Sequence, residues 1–425
     1  MNKKQIILAA STAVFSFPAT VLATNGYQLI GVGAYQKSLG GAVTANPGSA
    51  MTAVANPAGA ARVGSRADFS MEAFMPKRDV DFTAMYGASN TSTVDMYGVP
   101  AIGWTAPTSD DSNVYFGGGM YGTSGMGVDY AQGSMAPAYP PATSNPVSWD
   151  GYSNIAFWQM APTVAWNQNE HLSFGVSLDI DYQSVAFKQR VMDSTGAVIS
   201  NFDLSRAASG FGYGLSFGVL YDVNDKVTVG ASYKSKQNFA AMKYNLAAGD
   251  ITSPNSSLPG AQPAGTYSLD MDFPQQAAVG VKWRASDALT VSADAKWINW
   301  SDTMDKLTVK GPVDVAMDPG WSDQTVYAVG VAYAVNERIN VRAGYNYAKA
   351  PFGADKVSRN LILPALTETH YTVGMDYDIN NRWQLALHYM YAPKVTLTAP
   401  ATDPMAGTKI SLSETSFGAN IGYRF

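Results

Sequence analysis

The chain has 425 residues, of which 14% are charged and 12% are aromatic, and its formal net charge is −5. Soluble globular proteins contain roughly 25% charged residues, so the composition disfavours an ordinary cytosolic enzyme. The mean hydropathy of −0.08 excludes a bundle of transmembrane helices, which requires long apolar runs. The chain has no basic block and no cysteine. We therefore expect no nucleic acid partner, no disulfide and no thiolate chemistry.

The first residues have the pattern of a secretory signal peptide. Lys3 and Lys4 precede an apolar stretch over 6–17, which is too short to span a bilayer as a helix. Small or apolar residues just before position 24 suit cleavage after Ala23. We therefore expect residues 1–23 to be a signal peptide that directs export. A buried N-terminal helix is the alternative.

From about residue 65 onward, apolar and polar residues alternate over long stretches, for example in 172–182, 339–347 and 383–391. Period two indicates β-strands, because successive side chains point to opposite faces. The stretches run for about 10–16 residues, whereas strands of soluble proteins are usually about 5–6 residues long. The chain ends with an alternating segment that closes on Phe425. This segment resembles the C-terminal signal that the bacterial outer-membrane assembly machinery reads.

These stretches predict an all-β fold, a 14-stranded antiparallel transmembrane β-barrel over 65–425. Single-chain bacterial barrels have an even number of strands, with short periplasmic turns and longer extracellular loops, and the connections here alternate between short and long in that way. The candidate strands lie near 65–76, 92–106, 112–121, 152–166, 171–187, 207–222, 226–244, 267–284, 288–299, 322–335, 338–348, 368–378, 382–398 and 412–425.

The segment 24–64, which precedes the barrel, does not alternate and is rich in Gly and Ala with little charge. Short helical pieces joined by turns fit this composition. A fourteen-stranded barrel without an internal plug would leave a water channel. We therefore predict that this segment is a small N-terminal hatch that plugs the lumen. A flexible periplasmic tail is the alternative.

Several motifs then recur in order along the chain. They include Thr24-Asn25-Gly26-Tyr27, Gly40-Gly41-Ala42, Asn56-Pro57-Ala58-Gly59, Asn299-Trp300-Ser301-Asp302, Trp321-Ser322-Asp323 and Arg342-Ala343-Gly344-Tyr345. Together they resemble the FadL/TodX family, the outer-membrane transporters of long-chain fatty acids and aromatic hydrocarbons. The resemblance implies a monomer in the bacterial outer membrane whose hatch includes Asn25, Gly26, Tyr27, Asn56, Pro57 and Ala58. It also implies that extracellular loops capture a hydrophobic substrate, which passes to a pocket beside the N-terminus and leaves sideways at a kinked third strand.

Three consecutive glycines, Gly117, Gly118 and Gly119, lie in the third predicted strand. Glycine inside a strand often marks a bulge or a close approach of another backbone. We therefore expect the lateral gate at these glycines. A tight inward-facing position is the alternative.

Candidate substrate-binding residues come from three parts of the chain. Met126, Tyr130 and Trp149 lie in a predicted loop rich in Met and aromatic residues, which suits apolar ligands, although ordinary loop packing explains it equally well. Tyr27 and Leu29 would lie beside the pocket. Continued alternation places three basic residues on inward faces, where any of them could meet a carboxylate; they are Lys282, Lys296 and Arg342.

The predicted function is passive uptake of hydrophobic molecules, with long-chain fatty acids as the first choice and aromatic hydrocarbons as the alternative. Each buried methylene is worth about 0.8 kcal/mol, so a 16-carbon chain would lose on the order of 12 kcal/mol on entering water. A route of apolar contacts that ends in outer-membrane lipid avoids this cost. We predict no enzyme activity and no cofactor, because the three histidines are scattered and lack metal-ligand spacing. An outer-membrane phospholipase, a general porin and an adhesive barrel remain alternatives.

Overall fold

The computed structural model describes residues 25–135, 147–253 and 259–425, without the side chains of 85–86 and 131–135. The predicted signal peptide at 1–23 therefore lies outside the described residues. Among the residues described, no helix has the length and apolar character needed to cross a membrane.

Within these residues, fourteen antiparallel strands form a closed barrel, which confirms the predicted fold class. The first strand pairs with the last along its whole length, from Arg66 opposite Arg424 to Asp81 opposite Lys409. The strands are β1 Arg66–Asp81, β2 Tyr97–Pro107, β3 Val114–Met135, β4 Val147–Met160 continued by Thr163–Asn167, β5 Leu172–Asp193, β6 Val198–Asn224, β7 Val227–Lys234, β8 Gln276–Arg284, β9 Leu289–Ile298, β10 Gln324–Ala334, β11 Ile339–Ala348, β12 Thr369–Asp378, β13 Trp383–Thr398 and β14 Lys409–Arg424.

The alternation in sequence becomes an alternation between the outside and the inside of the barrel. In β10, for example, the side chains of Tyr327, Val329, Val331 and Tyr333 are exposed on the outer face. Across the sheet, polar residues such as Asp179 in β5 are buried on the inner face. An apolar exterior with aromatic residues is the arrangement that lipid requires, since lipid offers no partner to polar groups.

Several of the predicted strands are wrong at the ends that lead into the long connections. The predicted strand 112–121 continues to Met135, and the predicted strand 207–222 already begins at Val198. The predicted strand 226–244 ends at Lys234, and the predicted strand 267–284 begins only at Gln276. Two segments between Lys234 and Gln276, Met242–Leu246 and Gly265–Leu269, form a separate four-stranded sheet with Leu307–Lys310 and Val315–Met317 from the connection between β9 and β10. Alternation continues through this sheet because it too has one buried face. Periodicity alone therefore cannot separate it from the barrel wall.

The segment before β1 lies inside the barrel. Lys37 forms a buried ion pair with Glu72 of β1, with Nζ and Oε1 3.0 Å apart. The backbone N–H groups of Val43 and Thr44 each donate to Asp294 of β9 at 2.8 Å. Because β1 and β9 lie on nearly opposite sides of the barrel, the segment crosses the lumen. Its helical pieces are the α-helix Gly33–Ser38 and the 3₁₀ helices Ala50–Val54 and Pro57–Ala61.

Asn56 fixes the second half of this segment to the wall. Its side-chain amide donates to the carbonyl oxygens of Thr44 at 2.7 Å and of Val219 in β6 at 3.1 Å. Its side-chain oxygen accepts from the N–H of Ala58 at 3.1 Å and so caps the 3₁₀ helix that follows. A Cβ at Gly218 would lie 2.0 Å from that oxygen, so the wall needs glycine there. We call residues 25–64 the hatch from here on.

Candidate functional site

The start of the hatch lies in a cluster of aromatic rings. Tyr27 is only 3% exposed, and its ring centroid lies 4.8 Å from that of Trp300, 5.7 Å from that of Phe273 and 6.0 Å from that of Trp321. Phe157 of β4 packs on Phe273 with a centroid distance of 4.5 Å. Burial, with a smaller contribution from nearby Asp272, raises the pKa of Tyr27, so its phenol stays neutral. These five rings are called the aromatic cluster below.

The loop that carries Trp300 is held in place by Asp323. This carboxylate accepts hydrogen bonds from the backbone N–H and the hydroxyl of Ser301, at 3.0 and 2.7 Å, and from the amide of Asn299 at 3.0 Å. Partial burial alone would raise the pKa of Asp323, but these hydrogen bonds outweigh it and lower the pKa. Trp300 also donates from Nε1 to Gln324 at 2.9 Å. The indole is therefore fixed before any ligand arrives.

The wall beside this cluster has a break between β2 and β3. Pairing between them runs from Pro107 opposite Tyr115 to Ala101 opposite Tyr121 and stops there. Beyond Tyr121, β4 is the only described strand of the barrel that pairs with β3. On the other side of β3, the segment before β2 first bonds to it at Asp129, whose carbonyl accepts the N–H of Thr93 at 2.8 Å. The break spans residues 122–128, which at about 3.3 Å per residue is roughly 20 Å of strand.

The hatch takes the place of the missing strand at one point in this break. The N–H of Leu29 donates to the carbonyl of Thr123 at 2.9 Å, and the N–H of Gly125 donates to the carbonyl of Tyr27 at 3.0 Å. Thr123 is the extra residue of a bulge, because the register with β4 shifts between Gly122 and Ser124. A bulge frees backbone groups from the ladder, and here the hatch satisfies them. The hatch is therefore bonded directly to the edge of the break.

A cleft lies at the break, with about 900 Å³ of empty space that includes the part open to solvent, and we call it the wall cavity. It is bounded by the start of the hatch, the inner faces of β1 and β14, both edges of the break and the middle of β4. Most of its lining is apolar, which suits a hydrophobic ligand. Representative lining residues are Tyr27, Leu29, Phe74, Val99, Met126 and Phe157.

Three of the predicted binding residues, Tyr27, Leu29 and Met126, line this cavity. Gly26 also lines it and has φ of +68°, a conformation that glycine adopts without strain. A Cβ at Gly26 would lie 2.6 Å from the ring of Trp300. The neighbouring Asn25 is fully buried, and its backbone bridges to Gln28. The start of the hatch is thus shaped to fit against the aromatic cluster.

The other predicted binding residues lie elsewhere. Tyr130 and Trp149 are buried with ring centroids 5.3 Å apart, on stretches of β3 and β4 that the sequence analysis treated as loop. Arg342 bonds to Asp376, and its guanidinium lies 4.5 Å from the ring of Tyr35 in the hatch. Lys282 of β8 lies opposite Thr228 of β7 and also outside the lining of the wall cavity.

The three glycines of the predicted gate lie just before the break. Gly117, Gly118 and Gly119 pair with residues 103–105 of β2, so the ladder on that side is intact. On the other side, β4 is interrupted at Ala161 and Pro162, and Gly118 has φ of +143°. A Cβ on Gly118 would lie 2.5 Å from the carbonyl oxygen of Ala161. The break itself follows at 122–128.

Sequence reasoning missed several residues of the site, namely Phe74, Arg78, Tyr97, Phe157, Phe273 and Leu412. Trp300 and Trp321 were noted as motifs and not as ring partners of Tyr27. Their repeated Trp-Ser-Asp context was the available signal. The other missed residues come from distant parts of the chain, so only the pairing of the strands shows that they lie together.

A second cleft lies between the hatch and the opposite wall, around Gln276, Asp294, Lys234 and Lys296, with about 810 Å³ of empty space that includes the part open to solvent. Lys234 donates to Gln159 at 2.8 Å. The lining of this second cleft is about half polar, whereas that of the wall cavity is mostly apolar. The polar groups of the second cleft offer partners to water.

A closed barrel with an apolar exterior, an internal hatch and an apolar cavity in its wall defines a class, the plugged β-barrels of the bacterial outer membrane. Within this class, the chain belongs to the family of outer membrane transport proteins described as OMPP1/FadL/TodX, whose model matches residues 16–425. The predicted family and the predicted outer-membrane location are confirmed.

Known relatives are similar over part of their sequence and nearly all of their fold. Outer membrane protein P1 of Haemophilus influenzae is 24% identical over 218 residues, which are 51% of this chain and 44% of that protein. The chain thus matches less than half the length of this curated relative. The structure of the Pseudomonas putida toluene transporter TodX superposes on this one with a TM-score of 0.73 and 21% sequence identity. The match covers 93% of this chain and 99% of the TodX chain. The structure of the Ralstonia pickettii toluene transporter TbuX matches 93% of this chain and 98% of the TbuX chain, with 18% sequence identity and a TM-score of 0.70.

Proposed function

We propose that this protein is a passive channel for hydrophobic molecules that releases its substrate sideways, through the break between β2 and β3, into the outer membrane. The observation that carries the proposal is the position of the wall cavity. It touches the hatch on one side, and on the other it reaches both edges of the break, at Val99 and Gly122. A molecule in the cavity would therefore move into lipid without entering water.

Long-chain fatty acids are the first substrate class that we propose. An acyl chain gains about 0.8 kcal/mol for each methylene that it buries, and the apolar lining continues from Phe157 through Met126 to Val99. Thioether and aromatic side chains adapt to flexible apolar ligands. Extracellular loops would capture the substrate above the aromatic cluster.

Aromatic hydrocarbons are the second substrate class. The aromatic cluster favours them, because rings at centroid distances of 4.5–6.0 Å already pack edge-to-face and tilted around Tyr27. An additional ring would gain about 0.5–1.5 kcal/mol per aromatic contact beyond its burial. Both substrate classes would use the same route, and uptake assays with one substrate of each class distinguish them.

A disulfide across the break tests the route. A Cβ at Gly122 would lie 2.9 Å from Cγ1 of Val99, so Val99→Cys with Gly122→Cys falls within disulfide reach. The natural chain has no cysteine that could interfere. The matched control is Val331→Cys with Ala343→Cys, directly opposite residues in the continuous ladder between β10 and β11.

Uptake of radiolabelled oleate and toluene is measured in cells that lack other such channels. We expect oxidation of the first pair to reduce uptake of the substrate at least tenfold, reduction to restore it, and the control pair to have no effect. Unchanged uptake in the oxidised Val99–Gly122 pair would refute lateral release. Passage of a small sugar without either apolar substrate would favour a general porin.

A further inference from the structure

One arginine lies across the break in the wall. Arg78 is on β1, where alternate residues face the lumen, and it is only 3% exposed. It lines the wall cavity together with Tyr97 of β2 and Gly127 of β3. In an intact sheet β2 would separate β1 from β3. Arg78 reaches β3 because the ladder between β2 and β3 has ended.

The guanidinium group connects three pieces of backbone that strand pairing leaves apart. Its two terminal nitrogens donate to the carbonyl of Gly127 in β3 and to the carbonyl of Val94, which precedes β2. One of them also lies 3.4 Å from the hydroxyl of Tyr97, and the guanidinium carbon lies 5.6 Å from the centre of that ring. These acceptors are uncharged, so Arg78 is held by the edges of the break.

Arginine suits this position for a physical reason. Its planar guanidinium presents several donors at fixed angles and can serve more than one carbonyl at once. Hydrogen bonds from a charged donor are stronger than those between neutral groups, especially where water is excluded. Its Nε is buried and has no hydrogen-bond partner among the described residues.

We propose that Arg78 is the latch of the lateral opening, a positioning residue that replaces the missing ladder and holds the two edges together until substrate passes. The inference rests on the proposed function. Loss of the latch widens the break and speeds release. The chain thus sets its transport rate through one side chain of β1.

The test compares Arg78→Met with Arg78→Lys and with Arg424→Met, which changes an arginine of β14 that pairs with Asp378 at the other end of the barrel. Heat-modifiable migration in gels first establishes that each variant folds. Initial uptake rates of oleate and toluene are then measured in proteoliposomes. The two cysteines at 99 and 122 are introduced into both the natural and the Arg78→Met chain. Spin labels on these cysteines report the width of the break.

We expect Arg78→Met to raise uptake of both substrates about tenfold, the size expected when one net charge-assisted hydrogen bond is lost. The uptake rate of Arg78→Lys should lie between that of Arg78→Met and that of the natural chain, and Arg424→Met should not change the rate. The spin-label distance should lengthen in Arg78→Met, and the 99–122 disulfide should abolish the added uptake.

Two results would overturn the latch. One is an unchanged rate and an unchanged spin-label distance in Arg78→Met. The other is a selective loss of oleate uptake with normal toluene uptake, which would assign Arg78 to headgroup recognition. If the disulfide has no effect in the natural chain, lateral release itself fails. If the disulfide blocks uptake while Arg78→Met behaves normally, only the latch fails.

Discussion

The ion pair between Lys37 and Glu72 offers a direct test of how the hatch is held. Its two side chains are 0% and 4% exposed, so solvent screening does not reduce its strength. Lys37→Met removes one charge and leaves a buried carboxylate. Breaking a buried pair in this way costs about 3–5 kcal/mol. The equilibrium between a seated and a displaced hatch should therefore shift by roughly 10²–10⁴-fold.

The assay is ion conductance across a planar lipid bilayer, because a displaced hatch leaves an open lumen. We expect Lys37→Met to show frequent openings and the natural chain to remain closed. The double variant Lys37→Met with Glu72→Met should recover most of the closed state, since it leaves no unpaired charge. Other contacts, such as that from the N–H of Ala50 to Asp68 at 2.6 Å, remain in both variants.

Two outcomes would refute this reasoning. In the first, Lys37→Met conducts no more than the natural chain, so the pair does not hold the hatch. In the second, the double variant conducts as much as the single one, so the cost comes from lost packing rather than from an uncompensated charge.

Three further predictions concern the hatch and the loops. Gly26→Ala should displace Trp300 and lower uptake severalfold, seen as a shift in tryptophan fluorescence, because the positive φ costs about 1–2 kcal/mol before any clash. Asn56→Ala should lower the free energy of unfolding by about 2–4 kcal/mol, measured by urea titration in detergent, since it removes a cap and the bond to Val219. Burial raises the pKa of Glu368 to about 7. Its ionisation therefore opposes folding as pH rises from about 4.5 to 7. Over that range the Tm of the natural chain should fall relative to the Tm of Glu368→Gln.

The sequence predicts the barrel well, because membrane strands must alternate along their whole length. The same property hides the site. The predicted third strand stops at residue 121, whereas β3 continues to Met135, and no pattern in 122–135 shows that this stretch is a strand or that its pairing with β2 has ended at Tyr121. The three glycines at 117–119 mark an irregular region, but only the neighbouring strands reveal on which side the ladder fails.

The contacts of the site are also too distant in sequence for local patterns to predict. Tyr27 meets Trp300 across more than 270 positions of chain, and Lys37 meets Glu72 only when the hatch has folded into the lumen. Arg78 lies beyond the end of the predicted first strand at residue 76, and only the structure shows its inward position on β1. The role that we propose for it depends on the absence of a neighbouring strand edge, which is a property of the sheet.

The seam between β1 and β14 has a consequence for biogenesis. Here Asn420 donates to Asp68 at 3.1 Å across 352 positions, and the N–H of Phe425 donates to the carbonyl of Ser65. Asp68 also accepts from the N–H of Ala50 in the hatch, so one carboxylate joins the hatch, the first strand and the last strand. The contacts that seat the hatch and those that seal the barrel thus share a side chain. A mutation that delays folding of the hatch should therefore also weaken this seam, even if every strand is intact.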